Sequence, residues 1–62
     1  MSAQGPEFGE QEEVYMGRDG PFIIGERQRG DPSWKYTLTV DGVTQYWGGD
    51  PWIEEVYLRR NR

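Results

Sequence analysis

Three carboxylates lie close together near the end of the chain: Asp50, Glu54 and Glu55. An acid–base pair of the glycosidase kind needs two carboxylates facing each other across a cleft, ~5–10 Å apart. Adjacent glutamates in a turn face solvent instead, and 62 residues enclose little room for such a cleft. The chain has no histidine and no cysteine. This removes the commonest general base, the commonest zinc ligand and every thiolate nucleophile or metal ligand. No hydroxyl therefore has a histidine or cysteine partner, which excludes triad-type acyl transfer. No glycine-rich run opens onto a helix, so a phosphate-cradling loop is absent too. The sequence points to binding rather than catalysis, with no cofactor and no metal.

The residues that could bind are aromatic. There are three Trp, four Tyr and two Phe, and each can bury ~150–250 Å². Tyr15, Trp34, Tyr36, Tyr46, Trp47, Trp52 and Tyr57 exceed what one small core can hide completely. Trp34, Tyr36 and Trp47 are expected to pack in or over the core, Trp47 near the sheet end. Tyr15, Tyr46, Trp52 and Tyr57, with Trp47 beside them, are the candidate ligand-binding aromatics. Asp50 and Glu54 are the carboxylates expected next to them. An aromatic face beside a carboxylate attracts a basic or methylated ammonium side chain, and it also stacks on a proline-rich helix. A protein or peptide ligand is therefore the expected partner of a monomeric domain.

Charge divides the chain unevenly. Residues 1–13 carry four acids and no base, whereas residues 14–62 carry seven of each and balance. The net charge of −4 thus belongs to the N-terminal segment. Residues 1–12, polar with Phe8 as the only large apolar side chain, are expected to be a disordered tail. Gly5-Pro6-Glu7-Phe8 resembles the remnant of a cleavage and cloning junction, which places it outside the expected fold. Arg60 to Arg62 read as a basic stub. No apolar run reaches the ~20 residues that a membrane-crossing helix requires. Without a signal-like segment or cysteine, an intracellular location, cytoplasmic or nuclear, is expected.

Residues 13–59 must then position the aromatics. Turn signals fall at Gly17-Arg18-Asp19-Gly20-Pro21, Arg29-Gly30-Asp31-Pro32-Ser33, Asp41-Gly42 and Gly48-Gly49-Asp50-Pro51, and they separate five short segments. Trp34 to Val40 alternates without fault, a half-buried strand. Asp41-Gly42 supplies a two-residue type I′ hairpin loop. The implied register sets Val40 opposite Val43, Thr39 opposite Thr44, Leu38 opposite Gln45, Thr37 opposite Tyr46 and Tyr36 opposite Trp47. Trp34, Tyr36, Leu38, Val40, Val43 and Trp47 then form the core face, and Lys35, Thr37, Thr39, Thr44 and Tyr46 the other. Val14-Tyr15-Met16 is the expected first strand. Phe22 to Gln28 is the second, with Gly25 marking a bulge or bend. Ile53, Val56 and Leu58 fit a 3-10 turn around Glu54-Glu55, followed by a brief strand that pairs with the first.

This all-β layout, with five strands, a tight hairpin between the third and fourth and a 3-10 turn before the last, resembles the SH3-like small barrel. That group includes SH3, Tudor and chromo-barrel modules, and the likeness covers Glu13 to Arg59. The chain lacks the Ala-Leu-Tyr-Asp-Tyr and Pro-Ser-Asn-Tyr runs of SH3 itself, although Trp52 sits where such a barrel carries a late tryptophan. Gly20-Pro21-Phe22-Ile23-Ile24 followed by Tyr36-Thr37-Leu38 is similar to the Gly-Pro-Tyr/Phe element of retrotransposon integrase tails, also an SH3-like barrel. That second likeness implies an alternative role in contacting nucleic acid through Arg27, Arg29, Arg59, Arg60 and Arg62. A neutral domain with an acidic segment is a poor phosphate binder, however. A structural barrel with no ligand of its own is the third reading.

Overall fold

A computed structural model describes residues 5–31 and 33–61. It is all-β. Strands β1 (Glu13–Met16), β2 (Asp19–Gln28), β3 (Lys35–Val40), β4 (Val43–Thr44), β5 (Trp52–Glu54) and β6 (Leu58–Arg59) form one antiparallel sheet. Its order is β4-β3-β2-β1-β6, with β5 also on β3. A single 3-10 turn, Glu55–Tyr57, precedes β6, which pairs back onto β1. Such a small antiparallel sheet, with its last strand returned to its first, is compatible with a small β-barrel-like fold.

The hairpin of β3 and β4 follows from its loop. Asp41 and Gly42 have φ of 52° and 80°, the left-handed pair that a type I′ turn requires. Val40 faces Val43 and Thr39 faces Thr44, and the Gln45 amide donates to the Leu38 carbonyl. There the pairing read from sequence ends. Gly48 and Gly49, with φ of 62° and 84°, fold a second tight turn in which Trp47 and Asp50 exchange backbone hydrogen bonds. Residues 46–51 thereby leave the ladder. The chain rejoins β3 as β5, with Trp52 opposite Thr37, Ile53 opposite Tyr36 and Glu54 opposite Lys35. Tyr46 and Trp47 therefore do not oppose Thr37 and Tyr36: the expected fourth strand is cut short at Thr44, and Trp52–Glu54, expected to lead into the 3-10 turn, adds a sixth strand.

The core holds Phe8, Val14, Phe22, Ile24, Tyr36, Leu38 and Leu58, with Met16, Trp34, Trp47 and Ile53 packed at its margin. Val40 and Val43, expected inward, are exposed. The ladder between β2 and β3 stops at Ile23 and Thr39, so the hairpin tip runs past its pairing with β2 and, among the described residues, stays uncovered. Val56 is exposed on the 3-10 turn, leaving Ile53 and Leu58 to pack. Thr37, expected outward, is buried. Gly25 explains it: β2 shifts register between Ile24 and Arg27, and a Cβ on Gly25 would stand 2.8 Å from the Thr37 hydroxyl. The bare backbone lets β2 close over that hydroxyl, which accepts the Glu26 amide at 2.8 Å.

The N-terminal segment is a strap rather than a tail over residues 7–12; residues 1–4 lie outside those described. Phe8 is 1% exposed and meets the Tyr36 ring edge-to-face at 5.5 Å. Gln11 donates to the Ile24 carbonyl and Ile24 donates to the Glu12 carbonyl, so the segment extends the sheet past β1. The Glu7 amide donates to Glu55 Oε2 at 2.8 Å, and the Phe8 amide to the Tyr36 hydroxyl at 3.3 Å. Tyr36 in turn donates to the same Glu55 oxygen. Burial, then that hydrogen bond, push the Tyr36 phenol up to about 12. Arg60 closes the strap from above, its guanidinium 4.8 Å from the Phe8 ring centroid. It also donates to the Glu7 carbonyl at 2.6 Å and meets the Glu7 and Glu12 carboxylates. The Gly9 amide and, after it, Arg60 hold the Glu12 carboxyl below its ordinary value against partial desolvation. A 62-residue sheet buries only ~60% of its unfolded surface, so one phenylalanine captured from an acidic segment adds substantially to so small a core.

Candidate functional site

The excursion that removes residues 46–51 from the ladder opens a groove of about 340 Å³ beside β3. Its floor is Thr37 and Thr44, one side is Gly25 and Glu26 at the bend of β2, and the other is Tyr46, Pro51 and Trp52. Each wall has a structural cause. Trp52 is set opposite Thr37 by the return of the chain as β5. Asp50 helps fix that return, its Oδ1 accepting the Trp52 amide at 2.9 Å. Tyr46 stands where the chain leaves the sheet and is 62% exposed. Glu26 holds its amide on Thr37 Oγ1 and is itself exposed. The result is two aromatic side chains and a proline near a single carboxylate, with threonines beneath.

Of the residues singled out from sequence, Tyr46 and Trp52 share this groove. Asp50 serves it through the backbone. The others lie outside its lining. Trp47 turns to the core and meets Phe22 edge-to-face at 5.8 Å. Tyr15 is on β1 opposite Arg59, packed near Gly20. Tyr57 is exposed on the 3-10 turn. Glu54 faces Lys35 across the ladder. Glu55 is engaged with Tyr36 and the strap. Among the described residues, no group of three or more acidic side chains is disposed to hold a metal ion.

Gly25, Glu26, Thr37, Thr44 and Pro51 were not among the candidates from sequence. A signal was present for two of them: Thr37 and Thr44 share with Tyr46 the alternation face opposite the core, and that face becomes the groove. Nothing local marks Glu26, because its place depends on how β2 bends over β3. The arginines are dispersed. Arg29 lies 6.0 Å from the Trp34 ring centroid, Arg59 reaches the Gly17 carbonyl at 3.5 Å, and Arg60 is held by the strap. Arg62 lies outside the described residues.

Fold and groove together define a small antiparallel β domain with an aromatic-lined concavity beside one carboxylate. Comparison with protein-family models, curated proteins and solved structures finds no match to this chain. No helix among the described residues is long and apolar enough to cross a membrane.

Proposed function

We propose that the domain is a non-catalytic binding module for short peptides, and that its groove takes a basic or methylated side chain. One observation carries this reading: Tyr46 and Trp52 flank a groove whose lining includes one charged side chain, Glu26. The aliphatic stem of a lysine or arginine fits along the aromatic walls while its cationic head approaches the carboxylate. The groove is near the lower end of ligand-pocket volumes, ~300–1,000 Å³, suited to one side chain rather than a long segment. Each cation–π contact contributes ~0.5–2 kcal/mol, so affinity in the micromolar range or weaker is expected. A proline-rich ligand would use the same aromatic walls without Glu26. The strand order, the β3–β4 hairpin and the 3-10 turn before a last strand paired with the first support the SH3-like likeness read from sequence.

Amide shifts on titration with lysine-, methyl-lysine- and proline-rich peptides, and with oligonucleotides, test the proposal. Shifts at Glu26, Thr44, Tyr46 and Trp52 with the cationic peptides are expected, lost in Trp52→Ala and weakened in Glu26→Gln. Equal binding by wild type and Glu26→Gln would favour the proline-rich ligand. Shifts confined to Arg27, Arg29 and Arg59 with oligonucleotide, falling steeply with salt, would replace the peptide reading with nucleic-acid binding. Arg60 speaks against that alternative, because its guanidinium is already matched by Glu7 and Glu12.

A further inference from the structure

The strap is held as a ligand is held. Glu7-Phe8 is read almost wholly by side chains from distant parts of the chain: Tyr36 on β3, Glu55 on the 3-10 turn and Arg60 just after β6. The Glu7 amide goes to Glu55, the Glu7 carbonyl to Arg60 and the Phe8 amide to Tyr36. The Glu7 carboxylate meets Arg60 at 3.4 Å. The Phe8 ring sits in a slot edged by Tyr36 and roofed by Arg60. A backbone read by side chains, an apolar pocket for one aromatic and a cation for the acid before it are the elements of a peptide-recognition site.

We infer that Tyr36, Glu55 and Arg60 form a second binding site, for a partner protein's segment with an acidic residue followed by an aromatic one, which the chain's own Glu7-Phe8 occupies in the free protein. This site is separate from the groove of Tyr46 and Trp52: neither Tyr36, Glu55 nor Arg60 lines that groove. The connection between strap and sheet can act as a hinge. Residues 9–12 form a tight turn in which Glu12 donates to the Gly9 carbonyl at 3.2 Å and Gln11 has φ of 67°, a left-handed conformation unfavourable for a side-chain-bearing residue. Opening that turn releases the strain and withdraws Glu7-Phe8. A tethered segment has an effective concentration in the millimolar range. A competing segment therefore binds appreciably only when it is abundant, carries further contacts, or meets a chain whose strap is weakened. Arg60 is the sensitive point, since it holds the Glu7 carbonyl and two carboxylates at once.

The test uses the full chain and a blocked peptide with the sequence of residues 5–12. In Phe8→Ala the peptide is expected to shift the amides of Tyr36, Glu55 and Arg60, saturating well below the millimolar effective concentration of the tether, and to raise the thermal midpoint with dose. The same peptide with alanine for its phenylalanine should do neither. In the wild-type chain the native peptide should leave those amides unmoved, because the strap outcompetes it. Should Phe8→Ala fail to fold, Phe8→Leu keeps the slot partly filled, and the peptide should displace its strap at the same amides. A folded variant whose Tyr36, Glu55 and Arg60 amides ignore the peptide would overturn the inference. So would equal shifts in wild type and variant. Shifts only at Thr44, Tyr46 and Trp52 would also overturn it while leaving the groove reading intact.

Discussion

Replacing Phe8 with alanine tests most directly whether the N-terminal segment belongs to the fold. The side chain is 1% exposed and packs on Tyr36 and under Arg60. Truncating a buried phenylalanine costs ~3–5 kcal/mol, from lost transfer free energy and the cavity left behind. The edge-to-face pair with Tyr36 places the cost in the upper part of that range, since such pairs add ~0.5–1.5 kcal/mol beyond area. A domain of this length has a total stability of roughly 3–9 kcal/mol at ordinary per-residue values. One substitution in a segment that reads as polar tail should thus remove a third or more of it. Each kcal/mol moves the midpoint of so small a domain by ~4–8 °C, so a fall of at least roughly 12 °C is expected. Thermal melts followed by tryptophan fluorescence and circular dichroism measure it, and the urea midpoint checks it independently. A midpoint within about 2 °C of wild type, far inside the shift of one kcal/mol, would show that Phe8 does not pack and that residues 7–12 stand free.

The Tyr36 phenol, pushed up to about 12 by burial and by its bond to Glu55, titrates above the ~10 of an unfolded tyrosine. Its contribution to stability is complete below pH ~10 and is lost as pH rises towards about 12. Tyrosinate absorbance should show a late step coinciding with unfolding and absent from Tyr36→Phe; completion of every tyrosine step while the chain stays folded would contradict it. Gly25→Ala places a methyl 2.8 Å from Thr37 Oγ1, and overpacking of this kind costs ~1–3 kcal/mol. The melt should fall accordingly and the Glu26 amide, held by that hydroxyl, should exchange faster; an unchanged midpoint would mean that β2 does not close over Thr37.

How far these features could be read in the sequence depends on whether their cause is local. The Asp41-Gly42 turn, the Val40–Val43 register, the bulge at Gly25 and the 3-10 turn all follow from residues within a few positions of the feature. Each was legible. Burial at Val40 and Val43 was not, because alternation says which residues share a face but not whether anything lies over it. The same limit applied in reverse to Thr37, whose face was covered by a glycine of another strand. The pairing of Tyr46 and Trp47 was not legible, because two consecutive turns, at Gly42 and Gly49, compete for the same strand, and only the return of Trp52 to Thr37 decides how the ladder is shared. Phe8 is the extreme case. Glu7, Glu10, Glu12 and Glu13 make its surroundings look unfit for a core, yet the partners that neutralise and bury it, Arg60, Glu55 and Tyr36, lie from 28 to 53 positions away. The basic stub and the acidic tail looked like two frayed ends when each was considered alone. Their opposite charges were the visible sign that the ends belong together, and that pairing brings a phenylalanine into the core and makes the slot that holds it.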